Sequence, residues 1–156
     1  STVAFFGAGV WGFLHTLHGV NFYSHGTQIT AAHGHLSFYG AYVALNLAIF
    51  TYAMPILRQR QPYNQVLNMA SFWLMTGGMA FMTFVLTFAG TIQTHMQRVI
   101  GDYYMDVQES LSIFYIMRFG AGFAVVIGAL LFIYSQLVVR KGEIIAPGPA
   151  QSIAEE

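Results

Sequence analysis

The chain has 156 residues, 56% of them hydrophobic and only 8% charged, against about 25% charged in an average soluble domain. Six basic residues balance six acidic ones, so no basic surface for nucleic acid is implied. Cysteine is absent, which removes disulfides, thiolate metal sites and the C-x-x-C-H attachment of c-type haem. The chain opens at Ser1 straight into an apolar run without the charged n-region of a signal peptide, and reads as a piece of a longer or processed polypeptide.

Four apolar segments, 3–23, 29–54, 66–94 and 107–139, are each long enough to cross a bilayer, which takes about 20 residues. None alternates with the period of a barrel strand, and backbone groups in lipid must be paired internally, so the segments are expected to be helices. The expected fold is all-α and polytopic. Residues 1–141 form the four-helix transmembrane part, and 142–156 a loose cytoplasmic tail containing Pro147, Gly148 and Pro149. Arg58 and Arg60 lie between segments two and three, and Arg140 and Lys141 follow segment four. The excess of basic residues on cytoplasmic loops places both on that side. The other loops hold only Arg98, offset by Asp102 and Asp106.

Segment one carries His15 and His18, three apart and so on one helix face. Hydrogen bonding inside the bundle or lining of a polar cavity is favoured over a metal pair. Trp11 and Tyr23 read as packing or interface residues. His25, in the link to segment two, sits near the outer surface, where it either donates to a carboxylate or is solvated. Segment two is expected to end at Pro55.

The stretch Ala31-Ala32-His33-Gly34-His35-Leu36-Ser37 holds the strongest signal. A helix turns about 100° per residue, so side chains two apart leave it about 200° apart. One metal shared by both imidazoles is disfavoured, and a separate ligand on each side of the helix fits. A histidine in a membrane helix needs a partner, and neutral imidazole is a common axial ligand of haem iron. From this geometry His33 and His35 are expected to bind two planar iron cofactors, with Gly34 leaving room for ring edges. The competing reading is two structural histidines hydrogen-bonded to neighbours such as Thr30, Ser37 or Tyr39.

Segment three is rich in Met, Gly and Thr, which suits close helix packing rather than iron ligation by methionine. At its outer end Arg98 either pairs with carboxylates or is a solvated interface residue. In segment four, Asp106, Gln108 and Glu109 open a helix and meet its positive end. Arg118 lies further in and is costly unless paired or near water. Glu109 is too far along the axis to reach it, so its partner is expected elsewhere in the bundle.

The run from His25 through Ala31-Ala32-His33-Gly34-His35 resembles the His-x-His helix of haem–copper oxidase catalytic subunits. The continuation Leu36-Ser37-Phe38-Tyr39-Gly40-Ala41-Tyr42 is closer still to the large, cytochrome b subunit of bacterial nitric oxide reductases. Gly12-Phe13-Leu14-His15-Thr16 and Thr94-His95-Met96-Gln97-Arg98 give similar matches. The resemblance covers the last four of that family's twelve transmembrane helices. It implies that His33 ligates a high-spin haem b and His35 a low-spin haem b, and that His25 and Arg98 lie near haem propionates. Gly26 stands where oxidases typically carry Asp, which favours the reductase branch.

The resemblance further implies a non-haem iron whose ligands lie outside this chain, and a calcium ion between the haems. Implied partners are the N-terminal part of the catalytic subunit, a c-type cytochrome subunit, the lipid bilayer, and nitric oxide as substrate. The implied location is the bacterial inner membrane, with the haem ligands towards the periplasm. The implied enzyme is a cytochrome-c-dependent nitric oxide reductase of which this chain is one part. A quinol-dependent reductase, a haem–copper terminal oxidase and a non-catalytic structural or assembly subunit are the alternatives.

Overall fold

The structure, a computed structural model, describes residues 1–58 and 64–138. Seven α-helices follow one another among the described residues. They are α1 (Thr2–Thr16), α2 (His18–Ser24), α3 (Gln28–His35), α4 (Ala44–Arg58), α5 (Gln65–Thr94), α6 (Tyr104–Ser110) and α7 (Ser112–Leu137). Two π-helical segments join them, Leu36–Val43 between α3 and α4, and His95–Ile100 after α5. Three continuous spans are long and apolar enough to cross a membrane: Gln28–Arg58, Gln65–Ile100 and Ser112–Leu137. Arg60, Arg140, Lys141 and the tail 142–156 lie outside the described residues.

Local chemistry sets the ends. Thr27 opens α3 by accepting from the Ile29 backbone N–H at 3.3 Å, and Asn64 opens α5 by accepting from Val66 and Leu67. The π segment after α5 stops at Gly101, whose φ of 92° suits a residue without a Cβ.

The bundle is built on α5 packed along α7, with α3 laid against α5. Small residues permit this approach, because in lipid helix association rests on close van der Waals contact. A Cβ on Gly128 would stand 2.5 Å from Met75 Cγ, and one on Gly78 3.0 Å from Val125 Cγ2. Met75 and Met82 are buried, filling the seams as packing methionines. Most large apolar side chains point outward, among them Phe5, Phe84, Phe119 and Leu130. In water this would be an aggregating surface; against lipid or further helices it is the expected exterior.

Three expectations on the segments change. Segment one is not a straight helix: α1 and α2 are bent by 99° at Leu17, which is extended at φ −73° and ψ 126°. The 15 residues of α1 rise about 22 Å, short of a hydrocarbon core about 30 Å thick. The α1–α2 pair therefore counts as a fourth span only as a broken one. Segment two does not end at Pro55; α4 carries it to Arg58. A proline loses one donor, and membrane helices tolerate this where hydroxyls and neighbouring groups take up the slack. Segment four is preceded by the separate helix α6. Leu111, fully buried, makes the turn between α6 and α7.

Candidate functional site

The histidine pair sits in the last turn of α3, immediately before the π segment. Ser37 marks the transition. Its hydroxyl donates to the His33 carbonyl at 2.8 Å, a bond that Thr51, Thr87 and Thr91 also make inside regular helix. By Val43 the ladder has widened, and the Ala44 N–H reaches back to the Tyr39 carbonyl. Such π turns recur at functional sites.

His33 and His35 leave α3 on different sides. His33 faces α1. Its Nε2 lies 3.0 Å from the Ala8 carbonyl and 3.2 Å from Ser37 Oγ. Because the Ser37 proton already goes to the His33 carbonyl, both contacts are made by an Nε2–H donor. The ring packs against Trp11 and His15, with centroids 5.9 and 5.2 Å away. A Cβ on Gly12 would come within 3.2 Å of Nε2, so α1 closes directly over it.

His35 faces the other way. Its Nδ1–H donates to the Ala31 carbonyl at 2.7 Å, which fixes the tautomer and leaves the Nε2 lone pair free. A ligating histidine usually anchors its second nitrogen on a carbonyl or carboxylate in this way. The ring opens into a cavity of 590 Å³ between α3, α5 and α7, walled by Met82, Phe119, Phe123 and Val126, with Tyr115 and Arg118 among its lining. A second cavity of 350 Å³ continues past it along Gly34, Phe38 and Met79. A Cβ on Gly34 would meet nothing within 4 Å, so the backbone between the histidines is open. Cavities of about 300–1,000 Å³ with mostly apolar walls and a few polar groups are usual for small ligands and cofactors.

The residues therefore fit a planar iron cofactor on one side only. His35 offers a free nitrogen, a fixed tautomer and an apolar slot. His33 in this arrangement offers a protonated nitrogen under a covering helix. Among the described residues no three His, Cys, Asp or Glu side chains gather into a metal-binding group.

His25 and Arg98 come to the same end of the bundle. Thr94 donates to the Tyr23 carbonyl at 3.2 Å, and the Arg98 guanidinium lies 6.0 Å from the centre of the Phe22 ring. Both side chains are exposed. The pair His15 and His18 is not brought together on one face, because the bend at Leu17 falls between them. His15 accepts from Trp11 Nε1 at 3.1 Å, while His18 is exposed.

Sequence reasoning passed over the groups that hold α3 in place. Gln93, 1% exposed, accepts the Gln28 backbone N–H at 2.9 Å and so satisfies one of the orphan donors of a helix start. Gly90 lies one turn earlier on α5. A Cβ there would overlap the backbone of Ile29. Gln28 Nε2 donates to Tyr115 at 3.2 Å, and Tyr115 donates to Gln108 Oε1. The Gly90–Gln93 spacing on one helix face was the available signal, although glutamines in an apolar run have many uses.

The comparisons agree with this architecture. Residues 1–124 match the family described as cytochrome c and quinol oxidase polypeptide I. The B subunit of the nitric oxide reductase of Stutzerimonas stutzeri is 42% identical over 158 aligned positions, covering 96% of this chain. The chain spans 33% of that relative's length. With its helical spans and its paired histidines on opposite sides of one helix, the chain belongs to the cytochrome c and quinol oxidase polypeptide I family of haem–copper oxidases.

Proposed function

We propose that this chain is part of the catalytic subunit of a bacterial nitric oxide reductase, in which His35 ligates a low-spin haem b and His33 a high-spin haem b. The reaction joins two nitric oxide molecules with two electrons and two protons to give nitrous oxide and one water. The haems and a non-haem iron, whose ligands lie outside this chain, supply the electron transfer and the binding of substrate. The rest of the subunit and a c-type cytochrome are the proposed partners, and a calcium ion between the haems belongs to the same reading.

The observation that carries the proposal is the divergence of His33 and His35 from one turn of α3, with His35 anchored through Nδ1 on the Ala31 carbonyl and its ring lining an apolar cavity. The similarity to a nitric oxide reductase supports the choice within the family. This chain's part is positional. Gly90 and Gln93 seat α3 against α5, the Ala31 carbonyl orients His35, and Met82, Phe119 and Phe123 offer apolar walls on that side. Two residues apart on one helix, His33 and His35 would hold the two haems, which would supply the electron transfer. His25 and Arg98, gathered at one end, offset carboxylate charge there. That end faces the periplasm when the Arg58 end is cytoplasmic. Arg58 itself donates to the Gln136 carbonyl at 3.0 Å and closes the end of α7.

Ligation by His33 requires its nitrogen to exchange the Ala8 carbonyl for iron. That requires α1 to sit differently in the assembled subunit.

The test is a pyridine haemochrome assay on the purified membrane complex, with haem counted per copy of this chain. Two b-type haems with an added c-type haem are expected. Two b haems without c would move the reading to a quinol-dependent reductase, and a-type haem to an oxidase. An intact complex without haem would overturn it.

A further inference from the structure

Arg118 has no role in the reading above, and its surroundings single it out. The cavity that His35 faces is lined by His35, Met82, Tyr115, Phe119, Phe123 and Arg118, with two more small or aliphatic residues, and no carboxylate stands among these described lining residues. A guanidinium inside a membrane helix is costly unless an anion or water meets it. The wall around it is open rather than packed: Phe119 is 76% exposed. An occupant with a flat apolar face against the phenylalanines and a negative group towards Arg118 fits this slot.

The position of that negative group follows from the helix direction. Side chains lean towards the N-terminus of their helix, and α7 begins at the bundle end that holds His25 and Arg98. Arg118 thus leaves α7 on the side of Tyr115, one turn earlier, and the two line the same slot. At this rim Tyr115 is held between Gln28 and Gln108. The Gln108 side-chain nitrogen is buried and has no acceptor among the described residues. Two buried polar atoms at this rim are thus without partners among the described residues, the Gln108 Nε2 donor and the Gln28 Oε1 acceptor, and a carboxylate there would meet Gln108 Nε2 and the Arg118 guanidinium. Arginine's planar fork suits it in particular, since it grips a carboxylate through two parallel N–H bonds.

Resting on the assignment of His35 as a haem ligand, we infer that Arg118 binds a carboxylate side group of that haem and raises its reduction potential. A fixed positive charge in a weakly polar site favours the reduced iron, which carries one positive charge fewer, and little solvent screens it. Arg118 is then a positioning and tuning residue for electron delivery. It is distinct from Arg98, which sits on Phe22 beyond the end of α5.

The experiment is a potentiometric titration of the low-spin haem in the purified complex, comparing wild type with Arg118→Gln and Arg118→Lys. Arg118→Gln is expected to keep the haem count and the low-spin spectrum. Its Fe(III)/Fe(II) equilibrium is expected to shift at least tenfold towards the oxidised form, about 59 mV for a one-electron couple. Full haem content with an unchanged potential would overturn the inference and leave Arg118 paired with another helix.

If Arg118→Gln loses haem, Arg118→Lys keeps the charge but not the fork. Its redox-difference infrared spectrum is then read for the haem carboxylate stretch. A shifted band is expected, and an unshifted band overturns the inference. His35→Ala is the control on the assignment beneath. If that variant retains both b haems, the ligand reading fails whatever Arg118 does.

Discussion

On the α1 side of α3, His33 is enclosed. Trp11 and His15 flank its ring, Gly12 touches its edge, and the Ala8 carbonyl takes its proton. On the α7 side, His35 stands at an open slot with its proton on the inner nitrogen and its lone pair outward. Two identical side chains, two residues apart, are thus in opposite protonation arrangements. The difference comes from what each carbonyl neighbour does. The Ala31 carbonyl belongs to the same helix and fixes His35 whatever packs around it. The Ala8 carbonyl belongs to α1 and fixes His33 only while α1 lies there. One site is prepared locally, and the other depends on the seating of a short, broken helix. A ligand role for His35 therefore needs nothing to move, while one for His33 needs a rearrangement.

The sharpest way to break this comparison is to remove each imidazole in turn from the assembled complex. His35→Ala is expected to abolish the low-spin b-haem spectrum and the activity. His33→Ala is expected to keep the low-spin spectrum and lose the high-spin signal and the activity. Normal content of both haems in either variant, measured by pyridine haemochrome and low-temperature optical spectra, would remove the assignment of that histidine. Electron transfer into the low-spin haem should survive only in His33→Ala.

A smaller effect is expected from the seat of α3. Gly90→Val places a branched side chain into the Ile29 backbone. Overpacking costs about 1–3 kcal/mol where side chains can yield, and here backbone must move. Both histidines ride on α3, so both haem signals should fall together with the yield of folded complex. Gln93→Ala leaves the Gln28 N–H without its acceptor, a loss of about 1–3 kcal/mol for a buried group. The melting temperature of the complex is expected to drop with the haem count preserved. A selective loss of one haem in Gly90→Val would show that the two sites are not carried by a common seat.

Much of this was legible in the sequence. Length and hydropathy suffice for the three continuous spans, since backbone pairing in lipid leaves only helices at that length. The helical turn of about 100° per residue likewise suffices for the divergence of His33 and His35. The bend at Leu17 was not legible. Leucine carries no breaking signal, so nothing in the run 14–20 announces an extended residue at this point. That bend is why His15 and His18, three apart in sequence, do not share a face. The π segment was also hidden, because the hydroxyl bond Ser37 makes four residues back occurs equally in regular helix, at Thr51, Thr87 and Thr91. Arg118 was recognisable as needing a partner, but which side chains line its slot is a fact of three dimensions.

Ser37→Ala sharpens the comparison with the smallest change. The Ser37 hydroxyl donates to the His33 carbonyl and lies against His33 Nε2, and no corresponding contact reaches His35 among the described residues. Its removal costs about 0.5–1.5 kcal/mol, the net value of a typical intramolecular hydrogen bond, which a bundle of this size absorbs. The same hydroxyl-to-carbonyl bond occurs at Thr51, Thr87 and Thr91 inside regular helix, so the π turn is expected to persist without the serine. The His33 ring also loses one of its two polar contacts and becomes freer to leave the Ala8 carbonyl. The expected outcome is an unchanged low-spin haem spectrum and potential together with a measurable shift in the high-spin signal, read by electron paramagnetic resonance of the oxidised complex. An equal shift in both haems would mean that the π turn positions the whole end of α3. The local fixing of His35 by Ala31 would then not be enough to hold that histidine in place.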